Sequence, residues 1–311
     1  MGRPGESGRI HPAGAAGEVS LGALSPDRAV PGVTAWYAVH ARDLPWRSPG
    51  RSPWGVLVSE VMLQQTPVDR VVPVWQAWMA RWPVPADLAA ESAAEVIRAW
   101  GRLGYPRRAL RLRECAAAIV ADEAGRVPDS LAALRRLPGV GDYTAAAVAA
   151  FAFGRRVVVL DTNIARVLAR AVRGVALPSP GFRDERAPAA AFLPDGPDES
   201  AAWNQAVMEL GALVCRSTDP ACDDCPLGDA CVWRGAGCPP PATTPRPQGY
   251  EGTDRQARGR VLALLRDHPA GLPRDAILAA LPRPPQAGRA IDTLVDDGLA
   301  VVADGVVRLP E

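Results

Sequence analysis

Four cysteines, Cys215, Cys222, Cys225 and Cys231, follow one another as C-x6-C-x2-C-x5-C. The loop between the first and the last, RSTDPACDDCPLGDA, is short enough to wrap four thiolates round one metal centre. Zinc sites of four cysteines usually come as two C-x2-C pairs split by a longer loop, and only Cys222 and Cys225 form such a pair. The spacing therefore favours an iron–sulfur cluster over zinc, with zinc still open. Cys115, on an apolar helix face, and Cys238, in a proline-rich stretch, have no neighbours at ligand spacing and read as bystanders.

Two carboxylates stand out upstream. Glu60 interrupts the apolar segment VLVSEVMLQQT; buried there, its carboxyl would hold a proton to higher pH and could donate it, whereas on a helix surface it would be ordinary. Asp161 immediately precedes the helical run TNIARVLARAV, the usual place of an N-cap. Between them lies LPGVGDYTA, where Pro138 ends one helix, and Gly139 and Gly141 permit positive backbone angles and close approach before the next begins at Asp142. Amides at such a turn and helix start can face a phosphate, although LPGVG alone is more often a plain turn.

Positioning these groups requires helices. From about Val33 to Trp233 the chain reads as a succession of Ala- and Leu-rich helical segments broken by Pro and Gly, an all-α region. Residues 1–30 lack periodicity and read as a disordered leader; 31–234 form the helical unit; 235–253, rich in proline and glycine, read as a linker. Residues 254–311 give three helices and then AVVADGVVRL, two strand-like runs about Asp304-Gly305, the order of a small winged-helix-like domain.

The 311 residues carry a net charge of +1, so nucleic-acid binding would have to rest on local patches and backbone amides. No signal-peptide core or membrane-length apolar run is visible, and clustered cysteines without a disulfide pattern fit a reducing cytoplasm. The chain contains no lysine, which removes lysine Schiff-base chemistry.

The cysteine loop resembles the iron–sulfur loop that closes endonuclease III-like DNA glycosylases. LPGVGDYTA (137–145) resembles that superfamily's helix-hairpin-helix, and VLDTNIARVLAR (159–170) its segment with the catalytic aspartate. LPWR (44–47), SEVMLQQT (59–66), LGY (103–105) and WNQAVMELGALVC (203–215) are most similar to adenine DNA glycosylases of the MutY type. The match runs from about Trp36 to Trp233. It implies a [4Fe–4S] cluster on Cys215, Cys222, Cys225 and Cys231, and a monomer acting on double-stranded DNA with mispaired adenine in the cytoplasm, at the nucleoid.

The resemblance also implies roles. Glu60 would protonate the adenine and activate water, and Asp161 would steady the sugar cation. Tyr143 and Asn163 would line the same site. Tyr143 occupies the hairpin position where strand-cutting relatives carry lysine, which implies a monofunctional enzyme that leaves an abasic site. Gln65 and Tyr105 match the residues that wedge the base stack; Trp46, Arg47 and Glu209 match segments near the base pocket; Gly139 and Gly141 would meet the DNA backbone.

Arg102, Arg107, Arg108, Arg111 and Arg113 could bind phosphates, though such runs are usually solvated helix faces. The family's second tyrosine after LGY is here Pro106, the glycine often found after the catalytic aspartate is Thr162, and the Nudix-like domain that reads 8-oxoguanine is not visible. Rival readings are a thymine or uracil mismatch glycosylase of the same fold, a strand-nicking lyase, and a non-catalytic zinc-bound DNA-binding regulator. MLQQT argues against the first and the missing lysine against the second.

Overall fold

Two helices that are apolar on every side divide the molecule into two packed halves. α2 (Pro53–Leu63) and α8 (Asp142–Phe153) lie against each other, and each feeds both halves of the core. Leu57, Val58, Ala145 and Val148 face one cluster, while Val56, Ala146, Ala147 and Ala150 face the other. The alanine run of α8 keeps this central helix thin enough to be packed on both sides. The chain is seen in a computed structural model that describes residues 24–242 and 249–311.

The first half is built by α2, α3 (Val68–Arg81), α4 (Pro85–Ala89), α5 (Ala93–Trp100), α6 (Arg107–Asp122) and α7 (Leu131–Arg136). Trp78 is its hub: its ring meets Trp82 and Trp100 edge-on, at centroid distances of 4.8 and 5.5 Å, and its Nε1 donates to the Ala99 carbonyl. The second half is built by α1 (Pro26–His40), α9 (Thr162–Ala171), α10 (Arg186–Ala191) and α11 (Pro197–Leu213), around Ile164, Phe192, Trp203 and Leu210. α9 and α11 pack so closely that a Cβ on Gly211 would stand 2.7 Å from the Asn163 Cβ, so only glycine fits there. The cysteine loop follows α11 and ends in α12 (Val232–Gly235).

The C-terminal unit comprises α13 (Asp254–Asp267), β1 (Leu272–Pro273), α14 (Arg274–Ala280), α15 (Pro284–Asp296), β2 (Val301–Ala303) and β3 (Val306–Arg308), with an antiparallel sheet in the order β1-β3-β2. The two strand-like runs pair about Asp304 and Gly305, both at positive φ, and β1 adds a short third strand. This unit docks on the first half. Ile97 of α5 is fully buried in its core, Arg107 of α6 pairs with Asp297 at 3.1 Å, and Arg266 donates to the Ile97 carbonyl.

The structure differs from the sequence reading at both edges of the helical unit. α1 begins at Pro26, within the stretch read as a leader, because Leu24, Ala29 and Val33 fill the second half of the core; residues 1–23 of that leader lie outside the described residues. α12 runs to Gly235, and the Trp233 indole donates to the Pro239 carbonyl, so the start of the stretch read as linker folds back on the cysteine loop. Residues 243–248 of that stretch lie outside the described residues. No described helix is long and apolar enough to cross a membrane.

Candidate active site

Where α2 and α8 meet, the phenol of Tyr143 donates a hydrogen bond of 2.9 Å to Glu60 Oε2. Glu60 is only 5% exposed, which excludes the helix-surface alternative. Burial pushes its carboxyl up to about 7; the neighbouring Asp161 carboxylate adds to the rise, while the Tyr143 bond and the Arg47 guanidinium oppose it. Tyr143 sits in the first turn of α8, and burial together with the Glu60 and Asp161 charges holds its phenol well above its ordinary range, so it remains a donor.

Asp161 caps α9: its Oδ1 accepts the Ile164 amide at 2.7 Å, and its Oδ2 accepts Asn163 Nδ2 at 2.8 Å. Burial raises its carboxyl above the ordinary range, and the bonds from Ile164 and Asn163 and the charge of Arg166 hold that rise in check. Asn163 is in turn held by Arg166, whose Nη2 donates to Asn163 Oδ1 and to the Gly211 carbonyl, both at 2.7 Å, while its Nε donates to the Cys215 carbonyl. Capping and site-building are thus one arrangement. The acid, its phenol partner and the second carboxylate come from three elements and converge at the seam between the two halves.

Arg47 joins this group through Glu209. The Glu209 carboxylate is fully buried and accepts Arg42 Nε at 2.7 Å and Arg47 Nη1 at 3.0 Å. Burial alone would raise its pKa, but the bonds and charges of Arg42 and Arg47 outweigh it and the net shift is downward, so Glu209 is an anion that aims Arg47. Trp46 is not at the seam. It is buried in the first half, edge-on to Trp75 at 5.7 Å, because the turn that presents Arg47 (Pro45–Arg47) turns the indole the other way.

Gln65 and Tyr105 are both exposed, and both have positive φ, +53° and +47°, unusual for residues with side chains. Arg108 ties their loops together: Nη1 donates to the carbonyls of Val61, Met62 and Gln64, and Nη2 to Thr66 Oγ1 and the Gly104 carbonyl. Burial lowers its pKa to about 10. No spacing rule marked Arg108, which sequence reading left among surface arginines. Three of the others are also engaged, Arg107 with Asp297, Arg111 with Glu114 and Arg113 with the Glu91 carbonyl, so the run as a whole is not a free phosphate-binding row.

In the hairpin, Gly139 has φ +76° and an added Cβ would stand 3.1 Å from Arg111 Cβ. Gly141 does not need positive φ; at −89° it is the N-cap of α8, and the glycine expectation holds for Gly139 alone.

All four cysteines of the loop line one small pocket with Val214, Trp233 and Arg170. Arg170 is buried on α9, stacks on Trp233 at 4.6 Å and points Nη1 at Cys215 Sγ from 3.4 Å, a cation suited to thiolate charge. All are free thiols, and no three His, Cys, Asp or Glu side chains among the described residues gather closely enough to bind one ion. Thiols set round a pocket, with a guanidinium behind one of them, suit a group with several metal atoms. Cys238, read as a bystander, is brought back toward the loop where the chain turns after α12, its amide donating to the Trp233 carbonyl at 2.9 Å.

Comparison with known proteins agrees with this geometry. The family model described as "HhH-GPD superfamily base excision DNA repair protein" matches residues 58–179. Over 280 residues the chain is 50% identical to the adenine DNA glycosylase of Mycobacterium tuberculosis, covering 89% of this chain and 91% of that protein. Among solved structures it is similar to a thermostable thymine-DNA glycosylase (25% identity, TM-score 0.61), covering 68% of this chain and 97% of that one. It is also similar to an endonuclease III in a non-covalent DNA complex (22% identity, TM-score 0.59), covering 69% and 98%.

Proposed function

The chain belongs to the adenine DNA glycosylases of the helix-hairpin-helix base excision repair superfamily, and from that premise we propose how its residues release a base. The substrate is a duplex with adenine opposite guanine or 8-oxoguanine. The adenine leaves the stack, and Gln65 and Tyr105 fill the gap from two loops that Arg108 holds together. Trp46 anchors the turn that carries Arg47 in the core of the first half, and Arg47 and Glu209 bound the base pocket.

Protonated Glu60 gives its proton to a ring nitrogen of the adenine. The bond from C1′ to the base then breaks, with its electron pair leaving on the base. The sugar cation that remains is steadied by Asp161, which Asn163 and the Ile164 amide hold in place. Water adds at C1′ and gives its proton to the Glu60 carboxylate, restoring the acid. Tyr143 keeps Glu60 pointed at the base throughout, and Gly139 and Gly141 with the first amides of α8 receive a phosphate.

Because the chain has no lysine, no lysine imine with the sugar can form, and the product is an abasic site in an unbroken strand. Cys215, Cys222, Cys225 and Cys231 hold a [4Fe–4S] cluster whose contribution is to cross-link the loop against α9. The enzyme works as a monomer in the cytoplasm, at the nucleoid. Residues 254–311 act as a winged-helix-like module beside the wedge.

The observation that carries this reading is the buried Glu60 carboxyl bonded to Tyr143 beside Asp161. The test is single-turnover base release from duplexes with adenine opposite 8-oxoguanine, adenine opposite guanine and thymine opposite guanine, with and without alkali. Adenine release with strand breaks only after alkali is expected. Release from the thymine duplex alone would overturn the substrate, and nicking without alkali would overturn the monofunctional step.

A further inference from the structure

Tyr105 does not stand alone on the surface. It is 43% exposed, and the Arg255 guanidinium, from the first turn of α13 in the C-terminal unit, lies 4.7 Å from its ring centroid. On its other side Arg255 faces the ring of Tyr250, 52% exposed, at 5.7 Å. Arg108 approaches Tyr105 from within at 5.7 Å and also lies over Trp100 at 5.1 Å. Aromatic rings and guanidinium groups thus alternate from the core of the helical unit, through the wedge, onto the C-terminal unit.

The outer members are held and not neutralised. The Tyr250 carbonyl accepts Thr253 Oγ1 at 2.7 Å, Thr253 caps α13 through the Gln256 amide, and the Tyr250 phenol lies over Gly259, 3.5 Å from where a Cβ would stand. The neighbouring Arg258 and Arg289 spend their charge on Asp297 and Asp254, whereas Arg255 is exposed and makes no ion pair among the described residues. Exposed rings interleaved with an unpaired guanidinium are what unstacked bases and their phosphates bind: each base stacks on a π-face and the cation meets the backbone.

We propose that Tyr105, Arg255 and Tyr250 form one DNA-binding strip, on which Arg255 and Tyr250 of the C-terminal unit hold the strand beside the wedge once the target base has left the stack. The inference rests on the glycosylase reading for the place of Tyr105. It gives the C-terminal unit a direct role in holding opened DNA.

The test is fluorescence anisotropy of the full chain with a duplex carrying a stable abasic analogue opposite guanine, a ligand that needs no excision. Tyr250→Ala and Arg255→Ala should each weaken binding about tenfold, and Tyr250→Trp should keep it near wild type. Combined with Tyr105→Ala, either change should cost less than it does alone, since the three act together. Thermal melting of each variant shows that it folds. Binding within twofold of wild type in folded Tyr250→Ala and Arg255→Ala would overturn the strip while leaving the glycosylase reading intact. Failure of the wild-type chain to bind the abasic duplex at all would overturn both.

Discussion

Tyr143 and Glu60, 83 residues apart in the chain, share a hydrogen bond of 2.9 Å across the seam where α2 meets α8. The bond joins the hairpin to a helix that is otherwise apolar around Glu60. A carboxyl in that place is costly as an anion and useful as an acid. The phenol cannot take its proton, because burial and two nearby carboxylates hold Tyr143 well above its ordinary range. Its effect is to orient the acid and to moderate its rise.

Base release should therefore follow protonated Glu60, staying level at low pH and falling about tenfold per unit above its pKa of about 7. Tyr143→Phe removes a bond that lowers this pKa, so the midpoint should move to higher pH, read from single-turnover rates across pH. Stability carries the opposite signature. Between the ordinary carboxyl pKa of 4.5 and about 7, the folded state holds a proton that the unfolded state has lost, so folding stability falls with pH through that window. Glu60→Gln should abolish excision and, above pH 7, stabilise the fold by up to about 3 kcal/mol in denaturant melts. A Glu60→Gln variant that kept its excision rate would remove Glu60 from the chemistry.

Asp161 allows capping to be separated from catalysis. Asparagine caps about as well as aspartate, so Asp161→Asn should melt within about 0.5 kcal/mol of wild type while losing at least about 100-fold in excision rate. Asp161→Ala should lose the rate and also about 1 kcal/mol of stability. Equal rates in Asp161→Asn and wild type would leave Asp161 with the cap alone.

The parts legible in the sequence were those encoded in short stretches. Helix breaks at Pro and Gly, the cysteine spacing, the Asp161 cap and the strand pair about Asp304-Gly305 each depend on near neighbours. What stayed hidden depends on contacts far apart in the chain. Arg108 looks like one arginine of a surface run until five acceptors from 61–66 and 104 close on it. Trp46 and Arg47 are adjacent, and nothing local says that one faces a core and the other Glu209. The start of α1 lies in a stretch without local periodicity, and it is the burial of Leu24, Ala29 and Val33 by α11 and its neighbours that keeps the helix through Pro31.

The cysteine pocket predicts metal content. Protein purified without air should be coloured and carry about four irons per chain, as a [4Fe–4S] cluster requires. Cys225→Ser, which changes one member of the C-x2-C pair, should lose most of that iron and lower the melting temperature, since the loop is then pinned by contacts such as Arg170 with Cys215. Colourless protein with zinc and no iron would instead make the loop a zinc site.

Arg108 should prove the most sensitive arginine of the chain. Its two terminal nitrogens serve the last carbonyls of α2, the Thr66 hydroxyl and the Gly104 carbonyl, so they hold Gln65 and Tyr105 at their positive φ angles. Met fills much of the same volume but offers no donors. Arg108→Met leaves these groups to water or to nothing, and a loss of about 2 kcal/mol or more in stability is expected. Lys should not rescue it, because one ammonium cannot serve both loops as the planar fork does. Binding to the abasic-analogue duplex should weaken in both variants as Gln65 and Tyr105 lose their common anchor. Base release at saturating protein should fall less, since Glu60 and Asp161 are untouched. If Arg108→Lys binds that duplex and melts like wild type, the two loops hold their shape without the guanidinium, and the anchor must be sought in the packing of Trp100 and Leu103 beneath them.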